Sequence, residues 1–180
     1  DYIKSGSEII ISNTFANTKH ALEDAGLSNN FEKYNLEGVR LAIETRNNLS
    51  ENVLVAGGIS YWTWTGRKPS LKELRSSVEI QAKIMERYIV DFLILEMMVD
   101  IEQMIVTIEA TKKTKLPLWV GLTCSIDKQG NIFLGEGLDS NKVRDSLESA
   151  VRVIENKGVD VICIMHTKIE DTLFLSLIHI

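Results

Sequence analysis

The sequence has 180 residues, 44% of them hydrophobic, enough for one substantial core, and its composition carries no sign of disorder. The net charge of −5 comes without a basic block, which argues against a nucleic-acid partner. No apolar stretch reaches membrane-spanning length, no signal-peptide pattern opens the chain, and Cys124 and Cys163 make no secreted disulfide framework, so the expected setting is a reducing cytoplasm.

In chain order, the first apolar run is SGSEIIISNTF at 5–15, entered from Glu8 and left through Ser-Asn-Thr. Leu36, Val39 and Ile43 follow at helical spacing. NVLVAGG at 52–58 reads as a second buried strand, closing on the Gly57–Gly58 doublet. The next loop, GISYWTWTGRKP at 58–69, is the most aromatic in the chain. Between positions 70 and 89, Leu71, Leu74, Val78, Ala82, Met85 and Ile89 form one stripe of a helix, and Ser70 with Glu73 is a capping box. YIVDFLILEM at 88–97 is a third strand, with Glu96 at its end. Ile101, Ile105 and Ile108 mark a shorter helix, and LPLWVGLTC at 116–124 a fourth strand. Val143, Leu147, Val151 and Ile154 make a last stripe, stopped by Gly158. KGVDVICIMH at 157–166 is the fifth strand, an apolar run that ends abruptly in His166.

Five strands alternating with helices demand a parallel sheet covered by helices, either doubly wound or part of a (β/α)₈ barrel. No GxGxxG or Walker loop follows any strand, which weakens the nucleotide-binding alternative. In a barrel the chemistry sits at the C-terminal strand ends, here Asn13–Thr14, Gly57–Gly58, Glu96, Thr123–Cys124 and His166. A carboxylate at such an end can grip an ammonium group; the alternative for Glu96 is a cap or a neighbouring ion pair. Asn13 and Thr14 line the mouth or simply cap their loop. Tyr61, Trp62 and Trp64 form a wall for a cation, or pack the loop onto the rim. Cys163, three positions before His166, is expected to point the opposite way as a buried packing thiol, and Cys124 to be an incidental thiol near the site. His166 is either a metal ligand or a hydrogen-bonded strand cap.

The opening DYIKSGSEIIISNTF resembles the DYI-x-AG-x-D-II-x-TNTF opening of the homocysteine S-methyltransferase family. VAGGIS, VDFLILEMM and LPLWVGLT are similar to its third, fourth and fifth strands, in the right order. The likeness runs from Asp1 to about residue 173 and implies a (β/α)₈ TIM barrel, a fold of about 250 residues. The expectation is therefore a partial barrel domain over 1–173, missing the first strand and the last two. Residues 174–180 are then an apolar, non-native tail in which His179 has no role, and the fragment self-associates through open edges.

The resemblance also implies a reaction: methyl transfer from an S- or N-methyl donor to the thiol of homocysteine, giving methionine. Family members hold zinc through three cysteines, and the metal presents the substrate as a thiolate. Their sixth strand ends in Val-Asn-Cys-Thr, aligned with Ile164, Met165, His166 and Thr167, so His166 stands at the first zinc-cysteine position. A His-Cys-Cys site would leave the zinc more electrophilic. Glu96 matches the glutamate that holds the amino group of homocysteine, although Met97 replaces the usual threonine after it. Asn13, Thr14 and Thr123 are the accompanying substrate-site candidates. Two rivals stand beside this reading. One is a diverged member that binds an amino acid or thiol without methyl transfer. The other is an unrelated barrel lyase, although a Schiff-base lyase wants a lysine at a strand end and Lys168 lies two residues past His166.

Overall fold

A computed structural model describes residues 2–50, 52–135 and 144–177. Strands β1 (Ile9–Ile11), β2 (Leu54–Ile59), β3 (Phe92–Met98) and β4 (Leu118–Leu122) and the later β7 (Val161–Ile164) form one parallel sheet in the order β1-β2-β3-β4-β7. Between β4 and β7 lies an antiparallel hairpin, β5 (Cys124–Ile126) with β6 (Ile132–Leu134). The helices are α1 (Lys19–Asp24), α2 (Phe31–Leu49), α3 (Leu71–Arg87), α4 (Ile101–Thr111), α5 (Leu147–Asn156) and α6 (Ile169–Leu177). Among the described residues, no helix is long and apolar enough to cross a membrane.

Local chemistry explains the boundaries. The Ser70 hydroxyl accepts from Glu73 N at 3.2 Å while the Glu73 carboxylate accepts from Ser70 N at 2.9 Å, closing the expected capping box on α3. Asp100 caps α4 through Gln103 N at 2.8 Å. Gly158 stops the α5 segment with φ +63°, a conformation that favours glycine. The acidic residue that opens each later strand has a visible job. Asp91 accepts from Val55 N, and Asp160 from Leu118 N, both at 2.7 Å, so each carboxylate satisfies an amide at the start of the neighbouring strand.

Register sorts the side chains into two faces. Val55, Leu93, Leu95, Val120 and Leu122 point outward into the main core with Leu74, Val78, Met85 and Ile108 of the helices. Ala56, Phe92 and Ile94, with Ile9, Trp119 and Met165 beside them, occupy the inner face, where the Phe92 and Trp119 rings lie 4.3 Å apart. Sheet edges β1 and β7 carry Phe15 and His166 just past their ends, and those rings are 5.8 Å apart. Five flat strands would hold the edges about 19 Å apart. The sheet therefore curls and its loops lean inward, which makes this a partial (β/α)₈ barrel.

One helix expectation needs correction. Ile89 is not part of the α3 stripe: α3 ends at Arg87, and Ile89 sits at φ +60° with 75% of its surface exposed. Leu173 to Leu177 form the second half of α6, and Leu175 is fully buried. Val143 and residues 178–180, His179 included, lie outside the described residues.

Candidate functional site

Glu96 does not close its strand; it lies inside β3, where the β3–β4 register slips between Leu95 and Met98. Such a bulge bends the strand and re-aims its side chains. Met97 follows at φ +59°, unusual for a non-glycine residue, with its N–H on the Met165 sulfur at 3.3 Å. The Glu96 carboxyl lies over Gly58 of the adjacent strand, and a Cβ at 58 would come within 2.2 Å of its Oε1. That oxygen is buried and has no hydrogen-bond partner. Burial without compensation favours the neutral acid, and it pushes Glu96 up to about 7. Here is a carboxyl poised near neutrality, short of a donor.

The other expected site residues divide around it. Thr14 is fully buried, and its hydroxyl donates to Gly58 O at 2.7 Å instead of facing solvent. Thr123, also fully buried, leaves its hydroxyl without a partner. Asn13 is exposed and lines a groove of about 230 Å³ with Tyr2, Gly38 and Leu41 between β1 and α2, whose lining does not include Glu96. His166 is exposed at φ +47° and stacks on Phe15, with their planes 24° apart. Phe15 continues to Trp62 at 5.9 Å and Trp62 to Trp64 at 4.6 Å, a run of rings along the rim.

Tyr61 is not part of that wall. It is buried, and its hydroxyl oxygen accepts from Val99 N at 2.6 Å and Asp100 N at 3.1 Å, at the entry to α4. Nor does Cys163 point away as a buried thiol: it pairs with Gly121 on the inner face and is only half-buried. Alternation fails as a guide because His166, past the end of β7, has left extended geometry. Cys124 is in the outer core, where burial pushes its thiol up to about 11.

Sequence reasoning placed Gly58 at a strand end but gave it no role, and passed over Ser12, Phe15 and Met165. The Gly57–Gly58 doublet was the available signal, since glycine inside a strand marks a close approach. Met165 lays its methyl over Gly121 in the same way on the other side of Glu96.

A zinc site would need donors that converge. Among the described residues no group of three His, Cys, Asp or Glu side chains does so. His166 faces Phe15, and burial raises both thiols above their ordinary range, which disfavours the thiolates that bind metal. These donors alone do not fit the metal.

No curated protein sequence matches the chain. Among solved structures, the metallated form of the homocysteine methyltransferase MmuM from Escherichia coli is similar with a TM-score of 0.72 and 16% identity, over 95% of this chain and 62% of that one. Its oxidised form gives 0.68 at 16% identity, over 91% and 58%, and its apo form 0.62 at 17%, over 95% and 60%. The chain thus spans about three fifths of the length of that enzyme, and at these identities the likeness is one of fold. Residues 1–173 match the model of the homocysteine S-methyltransferase family, nearly the whole sequence. On that match, the chain belongs to the homocysteine S-methyltransferase family.

Proposed function

We propose that this chain carries the amine-anchoring part of an enzyme that moves a methyl group from an S- or N-methyl donor to the thiol of homocysteine, giving methionine. The observation that carries the reading is the unpartnered, buried Oε1 of Glu96, at the inner face near the C-terminal end of β3. An ammonium group placed there supplies the missing donor and favours the ionised carboxylate, so binding below pH 7 expels the carboxyl proton. The bond is charge-assisted in a partly dry pocket and contributes about 1.5–3 kcal/mol. The thiol end of the substrate would then extend toward the rim. Trp62 and Trp64 supply aromatic faces suited to a sulfonium or quaternary ammonium donor. In family members zinc, when bound, holds the substrate sulfur as a thiolate; His166 is this chain's residue at the first ligand position.

Titrating Glu96 by carboxyl carbon NMR, with and without ligand, tests the reading. Saturating homocysteine should lower its midpoint well below 7, whereas N-acetylhomocysteine, which has no ammonium, should not. Glu96→Gln should weaken homocysteine binding about ten- to a hundredfold. Equal responses to the two ligands would sink the amine role. A diverged family member that binds the amino acid without methyl transfer is the second reading, favoured by the imidazole at the position where the family has cysteine. Both readings share the Glu96 anchor; methionine formation separates them.

A further inference from the structure

Past the last residue of β1, two side chains continue the ladder to β2. Ser12 N still donates to Ala56 O at 2.9 Å. One step on, Gly58 N donates to Ser12 Oγ at 3.2 Å, and Gly58 O accepts from Thr14 Oγ1 at 2.7 Å. The two hydroxyl oxygens lie 2.7 Å apart. Thr14 has one hydroxyl hydrogen, and the alternative acceptor, Ser12 O, is farther at 3.4 Å. With that hydrogen committed to Gly58, Ser12 must donate the shared bond. The result is a closed ring in which both polar groups of Gly58 are gripped by buried hydroxyls.

The ring is braced from behind. Thr14 O accepts from Gln81 Nε2 of α3 at 3.1 Å, and the same amide nitrogen donates to Asn35 Oδ1 of α2 at 2.8 Å. Asn35 Nδ2 donates in turn to Asn17 O at 2.8 Å. Helix α2 meets the loop at Gly38, where a Cβ would fall 2.8 Å from Asn13 O. In front of the ring lies the carboxyl of Glu96, in the space that any side chain at 58 would fill.

We infer that Ser12 and Thr14 are positioning residues for Glu96: by fixing the Gly58 peptide they hold open the slot in which its carboxyl lies, and the missing side chain of Gly58 sets the depth of that slot. Thr14 thus acts through Gly58 and not by touching a ligand. The functional meaning rests on the amine role proposed above, but the clamp is tested without it.

Three variants of this chain decide the matter, read by the Glu96 titration, the exchange rate of the Gly58 amide and the thermal midpoint. In Gly58→Ala the atoms nearest the added methyl are the Glu96 carboxyl and the Ile11 γ-methyl, both of side chains, so the fold should survive and the carboxyl should swing toward water. Its midpoint should fall from about 7 by about one pH unit or more. Thr14→Val removes the hydroxyl at constant shape; it should speed Gly58 exchange about tenfold and lower the Glu96 midpoint by about half a unit. Thr14→Ser should restore both. If Thr14→Val does not fold, Ser12→Ala replaces it with the same expectation. A Glu96 midpoint that stays put in Gly58→Ala and in the hydroxyl variant, while the thermal midpoint drops, overturns the proposal and leaves the hydroxyls merely structural. If the variants move Glu96 as expected but homocysteine does not move it in the parent, the clamp stands and the amine role alone falls.

Discussion

Glu96 keeps its proton at a pH where an ordinary glutamate has lost it, because its carboxyl is buried beside Gly58 with one oxygen unpaired. The effect on stability has a definite sign. The unfolded chain releases this proton near 4.5 and the folded chain near 7, so between those values the folded state binds more protons. Stability from this group therefore falls as pH rises from about 4.5 to about 7 and stays low above. Glu96→Gln should flatten that slope and exceed the parent in stability at pH 8 by about 1–3 kcal/mol. Urea unfolding at pH 5 and pH 8 checks both parts. Of these residues, the sequence pointed to Glu96 through its motif, but the slot beside it depends on a contact between strands 38 residues apart in the chain, Gly58 to Glu96, which no local pattern encodes.

Strands and helices were legible wherever burial writes a long pattern. The α3 stripe and its capping box are one case, and the acid-then-apolar strand openings are another. The latter is explained by Asp91 and Asp160, each of which accepts an amide from the neighbouring strand. Asp160→Ala should orphan Leu118 N and cost about 1–3 kcal/mol, while Asp160→Asn, able to accept the same bond, should cost less. Denaturant midpoints of the two variants read the difference. The β5–β6 hairpin escaped notice because three-residue strands are too short to show a period. For Tyr61, wall and packing stayed open as alternatives for a related reason. An aromatic loop reads as rim, and only the fold reveals that its hydroxyl is the acceptor for two amides before α4.

At the scale of the molecule, alternation of five apolar runs with helical stripes was enough to specify a parallel, helix-covered sheet. Closure and metal chemistry depend on residues distant in sequence and were not legible. Among the described residues β1 and β7 each pair on one side only, and Ile11 and Leu54 are each 44% exposed. Open edges with apolar neighbours invite pairing. Sedimentation of this chain should show mass rising with concentration; a single monomeric species that melts cooperatively would contradict this. For zinc, with no converging donor group among the described residues, the chain should bind more weakly than about 1 μM, and His166→Ala should change nothing. Competition with a chromogenic chelator measures this, and tight stoichiometric uptake would require donors beyond the described residues.

The stack of Phe15 on His166 joins the two ends of an arc whose intervening members are tied by backbone ladders. Geometrically it is a chord. When an arc flattens slightly, each neighbour-to-neighbour spacing barely changes, while the chord lengthens by the sum of every small rotation. The rings should therefore part well before any ladder bond breaks. Because Phe15 also touches Trp62, that separation reaches a fluorophore. The rim is thus a strain gauge for the curvature of the sheet, sensitive to motions that amide exchange would not register.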